Sequence, residues 1–439
     1  MRTVNGGNAK RSYHARGKGT PVNLSYCENW DSYSDYHILH DHWSSHPTMA
    51  KRWQQDRWFA YQFLNGVNPV SITRCNSLPE NFPVTHDLVK ASLDRGESLE
   101  KEINDGHIYI VDYEILVGCK TYGGLVLDDF GYQAPDHLKH DKADVRYCAA
   151  PLALFYVNKE GHLMPITIQI NQEPGPANPI WTPHEEHQND WMLAKFWLRV
   201  AESNFHQLCT HLLCTNLATE PFAVSAWRNL ASPHPIFKLL LPHIKDLLAC
   251  NTIRRKELLG EGGVVDQTLS LGGGGHMEFM EKCFKKMNFE DYNFPNSLKN
   301  RGVDDPSKLQ EYYYRDDGLA LWEAIQKFVS EMVGIFYRSD EDVKKDDEVQ
   351  NWIFDVYENG WREKAAYHGL PSKLESREQF YCLGDYRGTH WTEQDVRSAI
   401  SRFQDSLKRI SEKIEKRNKT LEVPYTYLLP ECVPNGITI

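Results

Sequence analysis

Apolar and polar residues follow two different patterns along the chain, and the change falls near Trp191. Before it, short runs rich in β-branched and aromatic residues predict strands at 107–114, 152–157 and 165–171. After it, apolar residues recur every three or four positions, which is the period of a helix. We therefore expect a mainly α-helical fold with minor β elements.

The last helix is predicted from a single apolar stripe. Its members alternate steps of four and three and are Val396, Ile400, Phe403, Leu407, Ile410 and Ile414. The opposite face is charged, so we expect this helix to lie on the surface of the core with one side in water.

The stretch 191–217 predicts a different kind of helix, because its apolar residues extend nearly all the way round. Such a helix belongs in the middle of a large protein. Polar residues on it need a partner or a purpose. This helix carries His206, Gln207, His211 and Asn216.

His206 and His211 are five residues apart, which is about 140° around a regular α-helix, so they would not share a face. A π-bulge would align them, and Asn216 would extend the same ladder by five more residues. Two interpretations stay open. The histidines are either a hydrogen-bonded pair in the core or part of a metal site.

The C-terminal segment 423–439, VPYTYLLPECVPNGITI, is apolar and interrupted by proline. A frayed end would be polar, so we expect this segment to be buried. A buried α-carboxylate would need a partner such as a metal ion or a basic group. Docking of the tail in a strand-like manner is the alternative.

Composition and charge exclude several classes of protein. The chain has 439 residues and a formal net charge of −11, which argues against a nucleic-acid partner bound through general phosphate neutralisation. The sequence contains no apolar run long enough to cross a bilayer and begins without a secretory signal. Ten cysteines without CxxC spacing indicate reduced thiols and a cytoplasmic protein.

The chain is predicted to divide into two parts. Residues 1–45 show little periodicity, and we expect them to form a mobile arm. We expect residues 46–439 to form one large domain.

Several segments together resemble the animal lipoxygenases, in the coral-type and arachidonate 5-lipoxygenase-like branch. They keep the order and spacing of that family over most of the chain after about residue 50. The segments are WMLAKFWLRVAESNFHQLCTHLLCTNLATEPFAVSAWRNLASPHPIFKLLLPH (191–243), WFAYQFLNGVNPVSITRC (58–75), HIYIVDYEI (107–115), PITIQINQEPGP (165–176), LGGGGH (271–276), YYYRDDGLALWEAI (312–325) and the ending 423–439.

The resemblance implies one large helical catalytic domain that holds a non-haem iron. It implies a polyunsaturated fatty acid as the partner and a dioxygenase reaction that gives a hydroperoxide. Nothing before residue 53 resembles the β-sandwich that precedes this domain in many members. We therefore expect that sandwich to be absent.

The resemblance also assigns site residues, and two departures follow from it. His211, Asn216 and Ile439 match iron-ligand positions, but Asn216 stands where the family has a histidine, and an amide oxygen is a weaker iron ligand. His206 and Gln207 match positions beside the ligands. The positions that match the substrate pocket are Leu212, Leu258, Arg254, Phe59 and Phe63. Arg254 replaces a small residue of the family, and a charged side chain there would demand a partner.

The second departure is an internal deletion. The sequence passes from SREQF to YCLGDY near residues 379–381, where the family has a long central helix with a further ligand histidine. The core should therefore be incomplete and the apolar face of the 191–217 helix partly uncovered. These losses predict a degenerate iron site and little or no turnover. The alternatives are an active dioxygenase, an inactive relative that binds lipid or associates with an intact relative, and an incomplete splice form.

Overall fold

The computed structural model of the protein describes residues 52, 54–124, 126–128, 131–133, 145–185, 188–361, 386 and 391–437. The arm predicted for residues 1–45 and the deletion predicted near residues 379–381 lie outside this part of the chain. The described residues form a five-stranded sheet, a two-stranded ribbon and many helices. The expected mainly helical class with minor β elements is confirmed.

The strands lie in the first half of the chain. Their bounds are β1 Thr73–Arg74, β2 Ile108–Asp112, β3 Val126–Asp128, β4 Gly131–Gln133, β5 Leu152–Val157, β6 Leu163–Gln169 and β7 Ile180–Trp181. The main sheet has the order β1-β2-β5-β6-β7 with antiparallel neighbours, and β3 pairs with β4. The three runs predicted as strands are confirmed as β2, β5 and β6.

Strand β5 is buried on both faces, which explains its uninterrupted apolar sequence. Phe155 points into the main core, where α-helices cover the sheet. Leu154 and Tyr156 point the other way, into a smaller cluster beneath the segments that contain Phe82 and Val89. The sheet thus separates two apolar layers.

The helices supply most of the main core. Their bounds are α1 Asp56–Asn65, α2 His86–Val89, α3 Leu99–Asn104, α4 Gln188–Phe205, α5 Glu220–Asn229, α6 Pro235–Ile244, α7 Leu247–Glu257, α8 Val264–Thr268, α9 Gly275–Lys286, α10 Phe294–Asn300, α11 Tyr313–Phe336, α12 Asp340–Lys344, α13 Asp347–Asp355 and α14 Gln394–Asn418. Two segments, His206–Leu217 and Val356–Trp361, are π-helices, and 3₁₀ turns occupy Lys90–Ser92, Glu114–Leu116 and Phe289–Tyr292.

Helix α14 packs along α11, and this contact confirms the stripe predicted from the sequence. Phe403 stacks on Phe328 with ring centroids 4.4 Å apart and an interplanar angle of 8°. At the other end of α14, Arg417 donates two hydrogen bonds of 2.6 and 2.9 Å to the carboxylate of Asp317. A bidentate pair of this kind fixes the orientation of the two helices as well as their contact.

Helix α4 runs without interruption into the first π-helix and lies in the middle of the fold. Leu198, Ala201, Leu208 and Leu212 are completely buried, as the sequence predicted for this stretch. Lys195 is also buried, and its ammonium group donates to a carboxylate oxygen of Asp56 at 2.8 Å, which ties α4 to α1. No helix in the described residues has both the length and the apolar character needed to cross a bilayer.

Candidate functional site

The π-helix His206–Leu217 places His206 and His211 on one face. Their rings are nearly parallel, with an angle of 14° and centroids 6.1 Å apart. A π-helix closes its hydrogen bonds from residue i to residue i+5, so residues five apart lie above one another. The five-residue spacing of His206, His211 and Asn216 therefore matches the turn of the π-helix.

Side chains in and just after the π-helix donate hydrogen bonds to its backbone carbonyl groups. The carbonyl oxygen of His211 accepts hydrogen bonds from the hydroxyl of Thr215 and from the amide nitrogen of Asn216, the latter at 2.9 Å. Thr219 donates in turn to the carbonyl oxygens of Thr215 and Asn216, at 2.9 and 3.1 Å. These bonds compete with the ordinary helical pattern and favour the wider turn.

His206 is held neutral in this position. Burial, helped by the neighbouring imidazole of His211, lowers its pKa from 6.5 to about 4. The Nδ1 atom of His206 is buried and has no hydrogen-bond partner among the described residues. Gln207 follows it, half-buried, in the first turn of the π-helix. His206 therefore lies at the start of the ladder with Gln207 directly after it, and its imidazole does not carry charge near pH 7.

Asn216 lies at the other end of the ladder and is almost fully buried, with 3% of its surface exposed. Its amide nitrogen donates to the carbonyl oxygen of His211. Its amide oxygen, Oδ1, accepts a hydrogen bond of 2.7 Å from the guanidinium of Arg254, which reaches it from the last turn of α7. Both ends of the Asn216 side chain are therefore engaged within the protein.

Asn251, one turn before Arg254 on α7, completes this polar cluster and was not recognised from the sequence. It is completely buried. Its amide nitrogen donates to the carbonyl oxygen of Asn216 at 3.0 Å and to a carboxylate oxygen of Glu220 at 3.1 Å. Its oxygen accepts from Arg254 at 3.2 Å. The spacing of two polar residues three apart on one helix was the available signal, because they share a face.

The predicted iron-ligand set fits a metal poorly in this arrangement. Within the described residues, no group of three or more His, Cys, Asp or Glu side chains is arranged to hold a metal ion. Ile439 lies outside the described residues. Of the remaining two, Asn216 offers a metal only an oxygen that already accepts from a cation. A ligand of that kind would bring a metal ion next to a guanidinium group, and like charges repel.

The segments that form this site match a known protein family. The family model described as lipoxygenase matches residues 38–381, which is more than half of the chain. The chain belongs to the lipoxygenase family. The match includes α4, the first π-helix and α7, and therefore all the contacts between Asn216 and Arg254.

Curated members of the lipoxygenase family are similar over most of the chain. The allene oxide synthase-lipoxygenase protein of Plexaura homomalla is 56% identical, in an alignment that includes 98% of this chain and 49% of that protein. The human polyunsaturated fatty acid lipoxygenase ALOX15B is 34% identical over 89% of this chain and 66% of its own length. The chain thus spans about half the length of the coral relative.

Solved lipoxygenase structures share the fold. The structure of delta413-417:GS LOX in complex with arachidonate has a TM-score of 0.88 and 54% identity, covering 95% of this chain and 72% of that one. The structure of coral 8R-lipoxygenase has a TM-score of 0.85 and 53% identity, covering 94% and 71%. The described part of this chain therefore has the helical fold of a lipoxygenase catalytic domain.

The residues predicted to line a lipoxygenase substrate pocket fall into two groups. Leu212 lies on the π-helix, and Leu258 directly follows α7, where its backbone nitrogen donates to the carbonyl of Arg254 at 2.8 Å. Phe59 and Phe63 lie on α1, buried in the main core with ring centroids 5.6 Å apart. The first group neighbours the candidate site, and the second is packed against the sheet through Phe155.

The C-terminal tail is held by His243 of α6. The Nδ1 atom of His243 lies 2.6 Å from the carbonyl oxygen of Asn435, and the backbone nitrogen of Ile437 donates to the carbonyl of His243 at 3.0 Å. The other ring nitrogen lies 3.3 Å from the hydroxyl of Tyr386. Up to Ile437, the tail is held by hydrogen bonds to a helix and contains no strand, so it does not dock in a strand-like manner. Only Tyr425 and Leu429 of its described residues are buried, so the expectation that the segment is buried is wrong over most of its length.

His243 should make stability depend on pH. Burial lowers its pKa from 6.5 to about 4, although the hydrogen bond with Asn435 opposes this shift. Between these values the unfolded chain holds a proton that the folded chain lacks, so stability is complete above pH 6.5 and falls as the pH falls. We expect this group to contribute at most about 1.4 kcal/mol per pH unit.

The measurement is urea unfolding of the wild type and His243→Gln at about pH 7 and about pH 5. His206 titrates in the same direction, so the slope in His243→Gln should be reduced but not abolished. An unchanged slope in the variant would contradict the assignment.

Proposed function

We propose that this chain is a lipoxygenase-family protein that retains part of the catalytic scaffold but lacks an iron centre able to sustain fatty-acid dioxygenation. The observation that carries the proposal is the hydrogen bond between Arg254 and the Oδ1 atom of Asn216. The guanidinium engages the one atom through which Asn216 could bind a metal, because the amide nitrogen is a donor.

Electrostatics favours the guanidinium over a metal ion at this oxygen. A divalent ion about 4 Å from a guanidinium would be repelled by about 8 kcal/mol at an effective dielectric constant of about 20. An iron centre of the simplest non-haem type needs two imidazoles and a carboxylate. Among the residues that the resemblance assigns as iron ligands, His211 is the one imidazole, so little binding energy is available to offset that repulsion.

The alignment with the coral relative is compatible with the predicted deletion. It extends over 518 positions, whereas the whole chain has 439 residues. Stretches of the relative therefore have no counterpart here. Such unmatched stretches are compatible with an internal segment missing near residues 379–381, which the resemblance identifies as the helix with a further ligand histidine. Two separate losses, at Asn216 and in this segment, would then act on the same centre.

Exposed apolar side chains on α4 suggest what the scaffold could still do. Leu193 and Phe196 of α4 are 54% and 42% exposed, whereas Leu198 and Ala201 of the same helix are completely buried. A contiguous exposed apolar patch is typical of a surface that binds lipid or another protein, and these two side chains lie three residues apart on one face of α4. Lipid binding or association with an intact relative is therefore the role we propose in place of turnover.

Iron-dependent dioxygenation of a polyunsaturated fatty acid is the second candidate. It is favoured by the 54% identity to a lipoxygenase solved in complex with arachidonate. Iron would be held by His211, Asn216 and the carboxylate of Ile439, and it would supply the redox chemistry of the family. Retention of His206 and His211 on the π-helix is compatible with this candidate.

Iron content separates the two candidates. We expect purified monomeric protein, expressed with added iron, to contain far less than one iron per chain by plasma mass spectrometry. We also expect no conjugated diene from arachidonate. An intact coral lipoxygenase prepared in parallel is the positive control. Near-stoichiometric iron together with hydroperoxide formation would overturn the proposal and establish the second candidate.

A further inference from the structure

The cluster around Asn216 does more than block one ligand atom, because it joins two helices across the candidate site. Arg254 and Asn251 belong to α7, whereas Asn216 belongs to the π-helix. Two hydrogen bonds cross between the helices, from Arg254 to Oδ1 of Asn216 at 2.7 Å and from the amide of Asn251 to the backbone carbonyl of Asn216 at 3.0 Å. A third, of 3.2 Å, joins Arg254 to Asn251 within α7. A metal ion bound to ligands from separate helices would perform the same mechanical task.

The cluster also holds a positive charge, as a site occupied by a metal ion would. A guanidinium is protonated at any pH the protein meets. The guanidinium of Arg254 donates to the amide oxygens of Asn216 and Asn251, whose dipoles point their negative ends at it. The described hydrogen bonds of Arg254 thus place its positive charge against two neutral amide oxygens.

Glu220 links this cluster to the protein surface. One of its carboxylate oxygens accepts from Asn251 at 3.1 Å and also pairs with Arg255, the exposed neighbour of Arg254. Arg255 therefore offers a matched control. It lies on the same turn of the same helix and carries the same charge, but its contact is with the half-buried carboxylate of Glu220 rather than with Asn216.

We infer that the guanidinium of Arg254 replaces the metal ion as the resident cation of this site and itself closes the site to metals. The inference rests on the proposed function and adds to it. If position 216 had only lost its histidine, the site would still bind a metal, though weakly. With Arg254 present, the guanidinium takes the place of the metal and the site binds none. Restoring an imidazole at position 216 is then insufficient, and the guanidinium must also be removed.

The test uses Co²⁺ alone as the probe in the full chain, with bound metal measured by equilibrium dialysis and unfolding followed by fluorescence. The variants are Asn216→His, Arg254→Ala, their combination, and the combination of Asn216→His with Arg255→Ala. We expect the combination with Arg254→Ala to bind Co²⁺ at least tenfold more tightly than Asn216→His alone. Co²⁺ should raise its unfolding midpoint by several degrees.

Asn216→His combined with Arg255→Ala should behave as Asn216→His alone, since the exposed guanidinium is not the resident cation. Arg254→Gln in place of Arg254→Ala serves as a second background, because it removes the charge but keeps a donor for a neighbouring oxygen. Far-ultraviolet circular dichroism identifies which of the two backgrounds is folded and is used for the comparison.

Two results would overturn the inference. Equal Co²⁺ affinity of Asn216→His with and without Arg254 would mean that the guanidinium does not close the site. Failure of both combined variants to take up Co²⁺ in the folded state would mean that removing Arg254 does not open it. In either case wild-type protein free of iron would leave the proposed function intact, whereas stoichiometric iron in the wild type would refute the proposed function itself.

Discussion

Replacing Arg199 by methionine is expected to lower the free energy of unfolding by about 3–5 kcal/mol. Arg199 lies on α4 and pairs with Glu202, whose side chain is almost completely buried. It also donates to the carbonyl oxygen of Phe59 at 2.6 Å. Removing the guanidinium leaves a carboxylate inside the core without its counter-ion, and that cost exceeds the value of the pair itself.

The pH dependence of this variant gives the prediction a second readout. Burial raises the pKa of Glu202, and the charge of Arg199 holds that increase down. A carboxyl group with a raised pKa favours the folded state while it is protonated, and this advantage is lost as the pH rises through its folded pKa. Since the variant lacks the opposing charge, its loss of stability should be larger at about pH 8 than at about pH 5.5.

Urea unfolding of wild type and Arg199→Met at both pH values measures these effects. Arg402→Met is the matched control, because Arg402 pairs with Glu331 at the surface and its side chain is 54% exposed. An exposed pair of this kind contributes about 0–1 kcal/mol. If the two variants lose the same amount of stability, the buried pair on α4 does not have the role described here.

The helical architecture could be predicted because the spacing of apolar residues in the sequence marks the buried face of each helix and strand. The stripe from Val396 to Ile414 produced α14 in the structure, and the run 152–157 produced a strand with the same bounds. The five-residue ladder of His206, His211 and Asn216 indicated the π-helix for the same reason. In each case the pattern is local, and backbone periodicity converts it directly into geometry.

The partner of Asn216 could not be predicted in this way. Arg254 is separated from Asn216 by 38 residues, and nothing in either local pattern states that α7 returns to the π-helix. The sequence indicated only that a charged side chain at position 254 would need a partner. A long arginine side chain can reach many places, so the identity of that partner depends on the tertiary packing of the two helices.

The pocket prediction for Phe59 and Phe63 shows a second limit. The two side chains lie four residues apart and share one face of α1. The structure adds that Arg199 covers that face, with its guanidinium carbon 4.6 Å from the Phe59 ring centroid and 4.2 Å from that of Phe63. Since Arg199 is distant in sequence, this polar cover could not be inferred from the pattern of α1.

Truncation of Phe63 to alanine is expected to lower the free energy of unfolding by about 3–5 kcal/mol. The side chain is completely buried and contacts the rings of Phe59 and Phe155, with centroid distances of 5.6 and 4.8 Å. Its removal leaves a cavity between α1 and the sheet, and the central position of β5 limits collapse around it. Phe354→Ala, at a position 51% exposed, should lose far less.

The combination of Phe63→Ala with Arg199→Met tests whether the two residues act as one unit. The guanidinium of Arg199 lies over the Phe63 ring, so part of the cost of each single change is the loss of the same contact. The double variant should therefore lose less stability than the two single variants together, by about 0.5–3 kcal/mol. If the losses in free energy of unfolding were strictly additive, the ring of Phe63 and the guanidinium of Arg199 would be energetically independent. The contribution of Arg199 would then not include its contact with that ring.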